Sequence, residues 1–414
     1  MENDFSFIGP FTQLISLTGL PLNGPLPGSV LKPLSQAGIL LKGNLIHKIG
    51  RYDDLKKSAI ELNALFTVIE EDFICLPGFV DAHTHICFAG SRSVDYALRN
   101  EGKSYLEIAA AGGGIWDTVS HTREAKQEQL TDLVAQRANR HLQEGVTSIE
   151  VKSGYGLSVN EELKLLRAIQ NAKAHTKASL ISTCLAAHTM PKDFPGSSSE
   201  YLLDILQNLL PQVREEKLSN RVDIFVEKGA FSLLEAESYL IQAKQKGFAI
   251  TIHADQFSTG GSALAVQLGA LSADHLEASA NKEIALLSDS PTAAVVLPGA
   301  SVGLGCRFAP ARRLLDRGAS LAIASDWNPG TAPMGDLLTL AALLGVFEKL
   351  SDVEVFAGIT FRAAAALGLM NRGRLAPDCL ADFVLFQGSD YREILYQQGK
   401  LKPAQVWKLG KRVF

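Results

Sequence analysis

Two textures alternate along the chain, and their order predicts its architecture. Between residues 78 and 325, short runs of almost unbroken apolar residues recur at 78–82, 146–152, 179–187, 222–227, 249–253, 271–275, 293–297 and 321–325. Between most of them apolar residues return at helical spacing, over 126–143, 160–175, 200–217, 233–246, 261–268 and 280–287, with 334–347 after the last run. Strands that are apolar throughout, rather than alternating, are those covered on both faces, as in parallel sheets. Eight such βα repeats over about 290 residues match the size of a (β/α)8 barrel. A doubly wound open sheet is the rival arrangement. It places a glycine-rich phosphate turn after its first strand, and no GxGxxG follows Val80.

The two ends read differently. Before residue 76, short β-segments are expected at 11–17, 38–41, 44–49 and 66–70, with proline and glycine crowding 21–33 and no βα unit. After Leu369 the same texture returns, with short strands expected at 373–375, 382–386 and 406–414. The fold class expected is α/β: a (β/α)8 TIM-like barrel over 76–370, with a small β-sandwich domain formed from both termini, 1–75 plus 371–414.

Composition narrows the function classes. The 414 residues exceed the usual size of one core, and 46% apolar with 20% charged residues describes an ordinary globular protein. A formal charge of −4 leaves no electrostatic footprint for nucleic acid or an anionic membrane. Apolar runs are broken before they reach membrane-spanning length, and MENDFSFIGPF does not read as a signal peptide. Five scattered cysteines without a CxxC fit a reducing, cytoplasmic setting. Cys87 reads as a small buried hydrophobe.

The histidines carry the chemistry. Catalytic groups of a (β/α)8 barrel sit at the C-terminal ends of its strands. His83 and His85 close the first run, His188 the third, His253 the fifth, His275 the sixth, and Asp326 the eighth. Residues two apart on a strand point to one side, so His83 and His85 can converge. Any one of these could be a hydrogen-bonded core imidazole; together they point to a metal. His47, His121, His141 and His175 fall elsewhere and are read as solvated or structural. The inferred ligand set is His83, His85, His253 and Asp326 around one divalent ion, with a position left for water. Such an ion lowers the pKa of that water and yields a hydroxide nucleophile. Asp326 could also accept its proton, with His275 sharing that work. His188 is given a hydrogen bond to substrate rather than to metal. A second ion would need a bridge such as a carbamylated lysine; Lys152 and Lys228 lie near strand ends but are read as salt-bridged amines.

The loops add polar groups. Arg92, in AGSRSVDY, has the planar fork that suits a carboxylate, against the plainer reading of a solvent-facing arginine. Tyr155, in KSGYGL, stands between glycines expected to let the backbone approach a ligand. DWNPGT offers Asn328, the Gly330 amide and Thr331 beside Asp326. AAGGGI at 110–115 falls in a long loop, 86–126, of the length of lids and binding loops.

With these residues in hand, the chain resembles the amidohydrolase superfamily, through PGFVDAHTH, the histidines of the fifth and sixth strands and the aspartate of the eighth. Within it the chain is similar to the imidazolonepropionase family, through FAGSRSVDYALRNEGKSYLEIAAAGGGI, EVKSGYGL, AAHTMP, IHADQ, SADHLE and SDWNPGT. The resemblance implies hydrolysis of 4-imidazolone-5-propanoate to N-formimidoyl-L-glutamate by a homodimer. It implies Zn2+ or Fe2+ on His83, His85, His253 and Asp326. Arg92, Tyr155, His188 and Gln256 would contact substrate, and Asn328, Gly330 and Thr331 the product carboxylates. Some members carry Glu at the position of Gln256; an amide is no general base, so proton handling is expected of Asp326 and His275. Another cyclic-amide hydrolase or deaminase would share the metal set but not explain Arg92 and DWNPGT. A non-catalytic metal-binding barrel would lack Asp326 or His275, and both are present.

Overall fold

The computed structural model describes residues 4–103, 107–108 and 112–414. Five strands come first: β1 (Phe5–Leu14), β2 (Leu34–Lys42), β3 (Leu45–Arg51), β4 (Leu65–Val68) and β5 (Phe73–Pro77). Eight follow in the middle of the chain: β6 (Phe79–Asp81), β7 (Val146–Lys152), β8 (Ser179–Ala187), β9 (Arg221–Ile224), β10 (Ala249–Ala254), β11 (Ser272–His275), β12 (Ala293–Val296) and β13 (Leu321–Ile323). Three close it: β14 (Phe383–Gln387), β15 (Gln405–Lys408) and β16 (Lys411–Arg412).

The middle strands pair in parallel in sequence order, β6 to β13. The first and last meet beyond their regular ends, where Asp326 N–H donates to the His83 carbonyl (3.1 Å) and His85 N–H to that of Trp327 (2.9 Å). This is the expected (β/α)8 barrel. The apolar runs form its strands because both faces are buried, one inside the barrel and one under helices. Helices start where serines cap them: Ser158, Ser197, Ser232 and Ser351 each accept a backbone N–H of the first turn.

The terminal strands form a separate mixed sheet in the order β16-β15-β14-β5-β1-β2-β3, with β4 running parallel to β1. β5 leads into β6 and pairs antiparallel with β14, so both ends of the chain meet beside the first barrel strand. Five details differ from expectation. The last strand expected at 406–414 is a hairpin, β15 and β16, turning at Leu409 and Gly410, both at positive φ. A helix, Tyr52–Glu61, lies between β3 and β4; only Leu55 and Ala59 of it are buried, too few to show a period. Residues 373–375 are not a strand; the Leu375 N–H makes a single backbone bond to the Ser16 carbonyl (2.9 Å), and the Arg374 side chain donates to the carbonyls of Leu17 (2.5 Å) and Leu20 (2.7 Å). The expected helix over 200–217 is split by a π-helical turn, Ile205–Leu209, just before Pro211, which has no N–H to give to it. Among its described residues the 86–126 segment includes the helices Ser93–Asn100 and Ile115–Glu124, and residues 110 and 111 of AAGGGI lie outside the described residues. No described helix is long and apolar enough to cross a membrane.

Candidate active site and metal centre

The strand-end histidines meet. His83 Nε2 lies 3.2 Å from His85 Nε2, which lies 3.3 Å from His253 Nε2. The three form the metal-capable group found among the described residues. Asp326 Oδ1 stands 3.4 Å from His85 Nε2 and 3.6 Å from His83 Nε2. The His275 ring centre is 5.4 Å from that of His253 and 5.9 Å from that of His83. The backbone bends sharply here, with φ of +89° at His275 and +53° at Asp326, a conformation side-chain-bearing residues rarely adopt.

A cation fits this cluster. Burial holds His83 and His85 well below the ordinary imidazole pKa and brings His253 down to about 3, so all three are neutral. His83 Nδ1 meets Asp274 Oδ2 at 2.6 Å and His253 Nδ1 meets Asp223 Oδ2 at 3.0 Å. Protons on those nitrogens leave Nε2 of His83 and of His253 as lone pairs, while the buried Nδ1 of His85 has no hydrogen-bond partner. Both lone pairs converge on His85 Nε2, at 3.2 and 3.3 Å, where a single proton could serve only one of them and a cation would serve all three nitrogens. Those separations are also the edges of a tetrahedron with metal–nitrogen bonds of about 2.0–2.1 Å.

Around the cluster opens a cavity of about 590 Å³, lined by His85, Arg92, Tyr155, His188, His253, Gln256, His275, Asp326, Asn328, Gly330 and Thr331 among others. Every substrate-contact position expected from the sequence therefore faces one space. His188 stacks on His85 at 5.2 Å, and its Nδ1 sits 3.0 Å from the Gly154 carbonyl. Burial brings its pKa down to about 4. Burial raises the Tyr155 phenol, which keeps its proton. The glycines beside Tyr155 approach their own chain: a Cβ at Gly156 would come within 2.6 Å of Glu162 N, and one at Gly154 within 3.0 Å of the Leu185 carbonyl. Asn328 ties the DWNPGT turn, its amide donating to Asp326 Oδ2 (2.9 Å) and its carbonyl accepting from the Gly330 (2.8 Å) and Thr331 (2.7 Å) amides. Burial raises the Asp326 carboxyl to about 7, against the pull of His275 and Asn328. Burial would lower His275, but Glu277, 3.5 Å away, and Asp326 outweigh it and raise its pKa.

Some groups escaped sequence reasoning. Asp95 accepts from Arg92 Nε (2.7 Å) and from Gly114 N–H (2.9 Å). Arg99 donates to the carbonyls of Gly303 (2.7 Å) and Gly330 (3.1 Å). Lys152 is the salt-bridged amine expected, but its partners were not foreseen: Glu150, Asp223 and Asp274 form with it a buried charged cluster behind the histidines. The signal for it was charge inside runs otherwise apolar, which burial permits only when paired. Lys228 is exposed, and its own N–H donates to Glu227.

A barrel with this cluster at the C-terminal mouth defines a class of hydrolase. Residues 74–413 match the amidohydrolase family, and the chain belongs to it. Its curated relatives sharpen the assignment. The chain is 39% identical to an imidazolonepropionase of Bdellovibrio bacteriovorus over 93% of its own length and 90% of that protein. It is 42% identical to one of Deinococcus deserti over 82% and 84%. Within the amidohydrolases, the chain therefore falls in the imidazolonepropionase family. Solved structures share the fold at low identity. Atrazine chlorohydrolase from Arthrobacter aurescens, solved with zinc, superposes at a TM-score of 0.70 and 15% identity, covering 98% of this chain and 94% of that one. An adenosine deaminase from Xanthomonas campestris with bound zinc does so at 0.71 and 17%, covering 98% and 92%.

Proposed function

We propose that the chain hydrolyses 4-imidazolone-5-propanoate to N-formimidoyl-L-glutamate, binding one divalent ion, Zn2+ or Fe2+, through His83, His85, His253 and Asp326. The observation that carries the reading is that one cavity holds both the imidazole–carboxylate cluster and Arg92. The cluster suits a ring amide, and the guanidinium suits the acid tail of the same molecule. Bound there, the ion lowers the pKa of a water and polarises a carbonyl.

The chain's own residues do the rest. Arg92 binds the propanoate and sets the ring's position. Asp326, buried and held at Oδ2 by the Asn328 amide, takes a proton from the attacking water, and His275 shares that proton. Water adds to the ring carbonyl carbon, the carbon–nitrogen bond breaks, and the leaving nitrogen receives the proton. Gln256 donates or accepts hydrogen bonds to the ring but takes no proton. His188, neutral and stacked on His85, and the protonated Tyr155 line the ring's surroundings. Five unpaired cysteines, four of them buried, suit a reducing cytoplasm.

The test is loss of the ultraviolet absorbance of imidazolone propanoate, measured alongside elemental metal content. We expect turnover proportional to bound metal. Faster turnover of a ring heterocycle without the acid tail would assign the site to another cyclic-amide hydrolase or deaminase.

A further inference from the structure

The Arg92 fork does not stand on the barrel itself. It sits at the start of the helix Ser93–Asn100, in the long loop after β6. Of that helix's described residues only Asp95 is buried, while Val94 and Tyr96 are exposed. Apolar packing, which usually fixes where a helix lies, does little here. Two polar straps replace it. Asp95 accepts from the Gly114 N–H at 2.9 Å, tying the helix to the far end of its own loop. Arg99, half-buried and lining the cavity, donates from Nη1 to the Gly303 carbonyl (2.7 Å) and from Nη2 to the Gly330 carbonyl (3.1 Å). Gly303 belongs to the helix Pro298–Leu304 after β12, and Gly330 to the turn after β13. Those two segments already touch, since a Cβ at Gly303 would fall 1.5 Å from the Thr331 carbonyl oxygen. One guanidinium thus joins the loops of the first, seventh and eighth barrel strands.

We propose that Arg99 is a specificity-determining positioning residue: by strapping this helix to Gly303 and Gly330 it fixes the span between the Arg92 fork and the imidazole–carboxylate cluster, and so the length of acid tail the site accepts. The inference rests on the function proposed above, with the ring at the cluster and the tail on Arg92. A bidentate pair demands both carboxylate oxygens in the plane of the fork. One methylene more or fewer in the tail takes them out of place when the span is rigid, and about 1 Å of misplacement costs about 100-fold in rate. A loosely held helix would follow the tail and lose that discrimination. Arginine suits the strap because its planar fork reaches two acceptors in fixed directions, whereas lysine is a point charge on a flexible stem. The two Nη atoms bind backbone carbonyls, and in this part Arg99 acts on the substrate through the helix rather than by touching it.

The experiment uses the full-length, metal-loaded protein and steady-state kinetics on three imidazolones, bearing a propanoate, an acetate or a methyl group. The wild type is expected to prefer the propanoate to the acetate about 100-fold in kcat/KM. Arg99→Met and Arg99→Lys are expected to narrow that preference to about 10-fold, mostly through a raised KM for the propanoate. Both should turn over the methyl compound as the wild type does and keep its metal content. A preference of wild-type size in both variants overturns the inference. So does an equal loss on all three substrates, which is what a merely structural arginine would give. Full rescue by Arg99→Lys overturns it too, since charge alone would then suffice. Should Arg99→Met fail to fold, Arg99→Lys carries the test. A wild type that accepts both acids alike overturns the inference without any variant. A wild type that turns over the methyl compound faster than the propanoate removes the function reading itself, which separates that failure from this one.

Discussion

A guanidinium and a carboxylate meet best through two parallel hydrogen bonds, which requires the plane of the fork to be fixed in advance. Asp95 does this for Arg92, binding Nε at 2.7 Å while both side chains are nearly buried. Glycine at 330 completes the arrangement, since a Cβ there would come within 2.4 Å of Arg92 Nη1. Lysine at 92 would keep the charge and lose the fork. Arg92→Lys is therefore expected to lose about 1.5–3 kcal/mol of substrate binding, a KM raised roughly 10–100-fold with kcat little changed. Steady-state kinetics check this. A ring substrate lacking the acid tail serves as control, because wild type and variant should turn it over alike; an equal deficit on both substrates would take the tail away from Arg92.

At the scale of elements, the KSGYGL loop shows how a turn becomes a rigid wall. Glu162, in the first turn of the helix Val159–Ala172, is buried and reaches back into the loop. Its Oε1 accepts the Gly156 (2.7 Å) and Leu157 (2.8 Å) amides, and its Oε2 accepts that of Gly154 (3.1 Å). Glutamine would set an amide N–H against a backbone N–H wherever it turned. Glu162→Gln should lower stability by about 1–3 kcal/mol and raise KM by freeing Tyr155, both read from denaturant melts and kinetics; an unchanged KM would mean the loop holds its shape without the carboxylate. This wall was only half legible in the sequence. The strand texture located all eight barrel strands, because burial on both faces leaves an apolar run that survives any loop variation. It also placed His83, His85, His253 and Asp326 on converging strand ends. It did not show what the glycines beside Tyr155 face, since close approach to a ligand and close approach to one's own helix ask for the same missing Cβ. Nor did it show Asp274 holding His83, because a partner distant in the chain leaves no spacing to read; Asp95 stands only three residues after Arg92, a spacing the sequence did display. The helix Tyr52–Glu61 was missed for the opposite reason, a surface element with two buried residues and hence no period.

For the whole molecule, the demand is that the barrel close just where the site lies. β6 and β13 are the first and last strands of the barrel, and Asp81 joins them, its Oδ1 accepting the Ser325 amide at 3.0 Å. Its Oδ2 stands 3.2 Å from Nε2 of His141, a fully buried residue of the helix Gln127–Gln143. The same imidazole lies 3.7 Å from Glu144 and edge-on to Trp327, the residue after Asp326, with ring centres 4.8 Å apart. Arg140 covers the other aromatic contact of that indole, 3.6 Å from its ring centre. His141 thus braces the seam from outside, the structural part expected of it, as a buried ring beside two carboxylates rather than a solvated one. Burial alone would lower its pKa, but Asp81 and Glu144 outweigh that and raise it above the ordinary value. A histidine whose folded pKa is raised stabilises the fold fully below its unfolded pKa, about 6.5, and loses that stabilisation as pH climbs through the folded value. His141→Gln keeps a hydrogen-bonding side chain and removes the titration. At saturating metal, the melting temperature of the wild type should exceed that of the variant most at about pH 6, with the gap shrinking as the pH climbs through the raised folded value. A gap of constant size across that range would show that His141 braces the seam by shape alone, without its charge.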